Sequence, residues 1–256
     1  MIRLPVSGIT VELRPSTGAE DMLLLESSAG EAETSVAVLQ RLAARRDGAD
    51  FDVASLPLHD IEWLWLDLRC RLLGDVVAAR ARCPVESCSA PTDVSFLISQ
   101  YLEHHRPRRP ANVERQAEGW FQLRESEVSF RLVTAADLLA TSESKDRKRA
   151  LARLTIRPEG TSGRDLRRVE QAMEALAPPL SNEIEGRCPE CGGAILFFFA
   201  VQSYVQCELR YEAEFLYEDV HLLAERYHWS EEKILSLPRT RRVHYAELAL
   251  RTAGVN

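Results

Sequence analysis

The chain has 256 residues and a mass of 28.9 kDa, with 45% apolar and 28% charged side chains, which excludes wholesale disorder, collagen-like repeats and a mini-protein held by disulfides. Its 39 acidic residues outnumber 32 basic ones to give a net charge of −7, so a protein that coats nucleic acid is not expected, although local basic patches are allowed. The longest apolar run, Ala194 to Val201, is eight residues, far short of the roughly 20 that span a bilayer.

In chain order, Ile9, Val11 and Leu13 alternate with Thr10, Glu12 and Arg14, the period of a half-buried strand. Thr17-Gly-Ala-Glu20 before Met22 to Leu25 is a capping box that starts a short helix. A second helix is predicted from about Thr34 to Arg45, ended by Asp47-Gly48. From Leu58 to Leu73 apolar residues occupy two faces, predicting a central helix that ends at Gly74-Asp75 or continues to Arg82. Residues 101–118, with His104-His105-Arg106-Pro107-Arg108-Arg109-Pro110, are expected to be a linker, because proline forbids regular helix and charge favours water.

Phe121 and Leu123, then Val128, Phe130 and Leu132, flank Glu125-Ser126 and predict a hairpin. Thr134 begins a short helix and Ser142 to Arg153 a solvated one. Ser162 precedes an amphipathic helix ended by Pro178-Pro179. The last fifty residues are predicted to be helical, with Ser230 capping a turn, Pro238 breaking it and Thr240 capping the terminal helix. The expected fold class is α+β, mainly helical, with a bipartite zinc-ribbon-like β subdomain and an inserted hairpin and helix segment. The expected division is 1–80 for an N-terminal strand and helical core, 81–207 for a split ribbon with an insertion at about 101–180, and 208–256 for a helical tail.

The chemistry concentrates in Cys83-Pro-Val-Glu-Ser-Cys88 and Cys188-Pro-Glu-Cys191-Gly-Gly. Zinc takes four soft ligands at about 2.3 Å in a closed tetrahedron, and two turns with two thiols each complete such a set. In the second pair proline stiffens the turn, glycine permits positive φ, and an apolar strand follows. The 99 residues between Cys88 and Cys188 exceed what a compact ribbon contains, and an inserted subdomain between two knuckles would explain them. Retained thiols without metal, two disulfides and a metal shared between subunits stay open as alternatives. Cys70 and Cys207 are expected to be buried as small hydrophobes.

Catalysis finds little support, since four thiolates leave zinc no open position. No His-Glu-x-x-His, nucleophile elbow, phosphate loop or dinucleotide fingerprint occurs, and Gly-Gly and a strand, rather than a helix, follow Cys188-Pro-Glu-Cys191, against thioredoxin-like redox chemistry. Arg239, Arg241 and Arg242 either hold an anionic partner or form an ordinary solvated helix end. Tyr227 and Trp229 either anchor an interface or pack within their own tail.

The N-terminal Gly8-Ile-Thr-Val-Glu-Leu-Arg14-Pro-Ser-Thr17-Gly18-Ala-Glu20-Asp21, the Leu72-Leu73-Gly74-Asp75 helix end before Cys83-Pro, and the tail Tyr227-His228-Trp229-Ser230-Glu231-Glu232 through Pro238 resemble the baseplate hub assembly chaperones of T-even-type contractile phage tails, in the version of phage-like contractile injection systems. The resemblance implies a non-enzymatic protein that holds baseplate or hub subunits or remains as a minor component. It implies a paired-knuckle site at Cys83, Cys88, Cys188 and Cys191, and a partner-contacting tail around Trp229. The competing expectation is a zinc-ribbon adaptor for nucleic acid or another protein. The N-terminus lacks the apolar centre of a secretory signal, and the expected location is cytoplasmic, with retention in an assembled tail-like particle allowed.

Overall fold

Thr17 ends the first extended segment and opens the first helix, and the computed structural model, which describes residues 1–253, follows the chain from there as an α+β protein with small antiparallel sheets. After β1 (Ile2–Arg3) and β2 (Thr10–Leu13) comes α1 (Gly18–Glu26). There the Thr17 hydroxyl accepts from the Ala19 N–H, while Glu20 accepts from the Thr17 N–H at 2.9 Å. The next helix, α2 (Glu31–Leu42), buries Val38, Leu39 and Leu42 and passes directly into β3 (Ala43–Arg45), which pairs with β2. Residues 43–45, predicted to be helical, are therefore strand, because pairing to Val11–Leu13 satisfies their backbone better than another helical turn.

In α3 (Leu58–Leu73), Ile61, Leu64, Trp65 and Leu68 are buried, as expected of a helix apolar on two faces. Gly74, at φ 89°, stops it, and the chain does not continue helically to Arg82. The β-branched Val76-Val77 instead begins β4 (Val76–Arg82), paired in register with β5 (Pro91–Leu97) from Val76↔Leu97 to Arg82↔Pro91.

The expected linker is largely structured. It begins in α4 (Ile98–His104) and includes β6 (Val113–Arg115), leaving mainly the proline and arginine stretch irregular. Next, β7 (Trp120–Leu123) and β8 (Ser129–Arg131) form the predicted hairpin, with Phe121 opposite Phe130 and Glu125 at φ 57° in the turn. Two helices follow, α5 (Ala135–Ala140), with its Thr134 capping box, and α6 (Arg147–Thr155), before β9 (Ile156–Arg157) completes a four-stranded sheet in the order β6-β7-β8-β9. The solvated helix starts later than predicted because Asp146, not Ser142, caps it by accepting from the Arg149 N–H. The amphipathic α7 (Gly163–Leu176) packs Val169, Ala172 and Leu176 with Leu123, Phe130 and Ile156 in one apolar core.

After α7, β10 (Asn182–Arg187) and β11 (Ala194–Phe199) form a second isolated hairpin. Four helices follow among the described residues: α8 (Val201–Glu212), α9 (Leu216–Tyr227), α10 (Glu231–Leu235) and α11 (Arg239–Ala253). Ser230 caps α10 as predicted, whereas α11 begins at Arg239, one residue before the expected cap.

Two compact units result. One combines Ile2–Thr10 with Asp52–Gln202 and contains both isolated hairpins and the four-stranded sheet. The other combines Val11–Phe51 with the chain from Ser203 onward, so the helical tail folds with the N-terminal helices. Its apolar centre includes Leu223, Ile234 and Ala246, against which Trp229 and Tyr245 pack.

Candidate metal centre

The β4–β5 and β10–β11 turns carry the two cysteine pairs, and matching backbone bonds close them. Cys83 N–H donates to Ala90 O at 2.9 Å and Cys188 N–H to Gly193 O at 2.8 Å. In the first turn Cys88 N–H donates to Val85 O at 2.9 Å, and in the second Gly192 N–H donates to Cys188 O at 2.9 Å. The residue after each second cysteine takes positive φ: Ser89 at 46° and Gly192 at 71°. Glycine makes this turn at little steric cost, while serine bears the Cβ penalty of the left-handed region.

The four sulfurs, Cys83, Cys88, Cys188 and Cys191, all lie within 4.8 Å of one another. Cross-turn separations are 3.6 Å for Cys83 to Cys191 and 3.8 Å for Cys88 to Cys188. A tetrahedral metal with metal–sulfur bonds of about 2.3 Å has sulfur–sulfur edges of about 3.8 Å, so the separations suit a central ion and exceed the roughly 2.05 Å of a disulfide. The four cysteines are free thiols.

Gly193 shows how closely the turns meet: a Cβ there would fall 2.7 Å from Val85 Cγ2 and 3.2 Å from Cys191 Sγ. Backbone and hydroxyl donors reach the sulfurs, with Gly193 N–H 3.4 Å from Cys191 Sγ and Thr92 Oγ1 3.8 Å from Cys188 Sγ. The N–H of Cys191, aided by that of Glu190, draws the Cys188 thiol down to about 6 against the opposing effect of burial. At Cys83 the Val85 N–H acts in the same direction, but burial and the neighbouring sulfurs outweigh it and push that thiol up to about 12. Four thiols this close crowd negative charge as they ionise, and a divalent cation at their centre would relieve it.

The other predicted residues occupy the unit containing the helical tail. Trp229 is half-buried, stacked on Tyr227 at 5.0 Å and edge-on to Tyr245 at 5.2 Å. Tyr227 and Arg241 are exposed. Arg239 and Arg242, offered by the sequence as partner contacts, are instead buried within the fold. Arg239 donates to Asp21 and to Leu209 O, and Arg242 pairs with Asp21 at 2.7 Å and Asp219 at 3.2 Å. Charges so enclosed are held by acidic partners of their own chain rather than by solvent. Sequence reasoning missed Asp21 and Asp219, though Asp21 directly follows the Thr17 capping box.

Gly18 fits beneath this network, since a Cβ there would meet Arg242 Nη1 at 2.8 Å and Leu235 Cδ2 at 2.9 Å. The lone cysteines also depart from expectation. Cys70 is only half-buried in α3, and Cys207 lies exposed on α8 rather than buried after a strand. No described helix is long and apolar enough to cross a membrane.

A family model described as T4 bacteriophage base plate protein matches residues 1–154. That span takes in the first cysteine pair and reaches through the β7–β8 hairpin, within the expected insertion at about 101–180. The second pair and the Tyr227 to Pro238 tail lie beyond it. No curated protein and no solved structure matches.

Proposed function

The chain belongs to the T4 bacteriophage base plate protein family, and from that premise we propose that it acts without catalysis as an assembly chaperone or minor structural component of the baseplate or hub of a phage tail-like contractile injection machine. The match over residues 1–154 carries this reading. The finer assignment to hub assembly chaperones rests on the resemblance of the Arg14 to Asp21 and Tyr227 to Pro238 motifs.

The same reading makes zinc the ion held by Cys83, Cys88, Cys188 and Cys191. Zinc favours a closed four-thiolate site, and its contribution is to couple ligand binding to folding. Cys83 and Cys88 hold one hairpin and Cys188 and Cys191 the other, while Gly193 leaves room for the turns to meet. Four protein ligands leave no coordination position for substrate, which fits a scaffold that presents surfaces to other baseplate subunits.

Deleting the coding gene in a producing cell and examining the particles by electron microscopy tests the proposal. The expected result is incomplete or baseplate-free tails, rescued by the intact chain. Mass spectrometry of mature particles separates a retained component, present at a fixed copy number, from a chaperone, absent. Normal particles in normal yield without the chain would overturn both roles.

A further inference from the structure

The proline and arginine stretch after α4 follows a held path. Arg108 N–H donates to Ala175 O near the end of α7 at 2.7 Å, and Val113 N–H donates to Pro110 O at 3.4 Å. Proline fixes φ near −65° and offers no N–H, so Pro107 and Pro110 stiffen the strand-free chain between these bonds. The two prolines, with Val6, Val113, Phe121 and Leu132, wall a cavity of about 250 Å³. That is smaller than the roughly 300–1,000 Å³ of ordinary ligand pockets and suits one large apolar side chain.

Arg108, Arg109 and Arg115 line the same cavity, and all three are exposed. Among the described residues their side chains have no ion pair or hydrogen bond, whereas Arg106 is paired with Glu103 and Arg124 with Glu114. Three unpaired guanidinium groups around one apolar recess reverse the sign of a chain whose net charge is −7. Like charges in proximity repel, and an arriving anion relieves that repulsion while guanidinium geometry favours bidentate pairing with carboxylates.

We infer that this recess binds an acidic, apolar segment of another protein, seating an apolar side chain against Phe121 and Leu132 while flanking carboxylates pair with Arg108, Arg109 and Arg115. Nucleic acid supplies anions but stacks its bases on accessible aromatic faces, and Phe121 is only partly exposed, with its ring stacked on Phe130 at 5.6 Å. The recess wants a hydrocarbon group between the charges, which an acidic peptide provides. This site goes beyond the baseplate reading, and its test on the isolated full-length chain does not depend on that reading.

Fluorescence anisotropy with a short labelled peptide alternating Glu with Leu and Phe measures the interaction directly. Two control peptides replace Glu by Lys, or Leu and Phe by Ser, and a labelled single-stranded oligonucleotide supplies the nucleic-acid arm. The acidic apolar peptide should bind at least tenfold more tightly than every control, and added salt should weaken it. Combining Arg108→Ser, Arg109→Ser and Arg115→Ser should reduce its affinity at least tenfold without changing circular dichroism or melting temperature, because the three side chains are exposed. Absence of binding, equal binding of the peptides, unchanged affinity in the triple variant, or tighter binding of the oligonucleotide would overturn the inference.

Discussion

In the unit that combines Val11–Phe51 with the chain beyond Ser203, a buried ionic cluster ties distant segments: Asp21 on α1 accepts from Arg239 and Arg242 on α11, and Asp219 on α9 shares Arg242. In the other unit, sulfur does the joining, with Cys83 and Cys88 on one hairpin and Cys188 and Cys191 on another. An ionic tie loses the hydration of every charge it encloses and depends on each partner being present. A four-thiol site that holds an ion, as proposed, would draw its strength from that ion, so its stability would respond to metal supply as well as to mutation. One tie is thus made of permanent internal charges, and the other would be completed, on the proposed reading, by a removable cation.

The largest expected difference between the two ties comes from removing a thiol. Cys191→Ser should abolish metal binding and lower the melting temperature by more than about 10 °C, a loss that excess chelator should reproduce in the wild type but not deepen in the variant. A melting point within about 2 °C of wild type would show that sulfur contributes little to stability. On the ionic side, Asp21→Ala leaves Arg239 and Arg242 buried without their common partner and should cost about 3–5 kcal/mol, read from urea unfolding, with metal content unchanged. An effect near zero would show that the arginines relax into water.

A smaller effect concerns Asp137. Burial raises its pKa, but the Arg131 guanidinium and the Thr134 amide and hydroxyl outweigh that effect and hold it below the ordinary carboxylate value. Its stabilising contribution is present above the unfolded pKa and is lost as pH falls through the folded one. Asp137→Asn should therefore cost about 1–2 kcal/mol at neutral pH, with the gap from wild type narrowing on acidification. A gap independent of pH would assign the loss to packing. The smallest predicted change is a gain: Ser89→Gly removes a Cβ from a left-handed turn and should stabilise by about 0.5–1 kcal/mol, while a loss would show that the Ser89 hydroxyl, which donates to Glu86 O at 3.3 Å, matters more than backbone strain.

Much of the local structure was legible because its signals are local. Thr17 with Glu20, Ser230 before α10 and the alternation around Glu125-Ser126 each specify a structure within a few residues. The cysteine pairs were legible for the same reason, since each turn is complete in sequence. What was hidden depended on distant partners. Arg239 and Arg242 look like a solvated helix end until Asp21 and Asp219 are brought to them. Val76 to Arg82 looked like helix continuation until paired with Pro91 to Leu97. His104 to Pro110 looked like a linker because nothing nearby in sequence announced that Ala175 would accept from the Arg108 N–H.

Metal content per chain, measured by elemental analysis of protein purified without added metal or chelator, tests most directly whether the two hairpins share one ion. About one zinc per wild-type chain is expected, and none in either Cys83→Ser or Cys188→Ser, because each hairpin supplies half of the ligands. A wild-type chain without zinc and with all four thiols reactive, or a variant that keeps its full metal content, would contradict it.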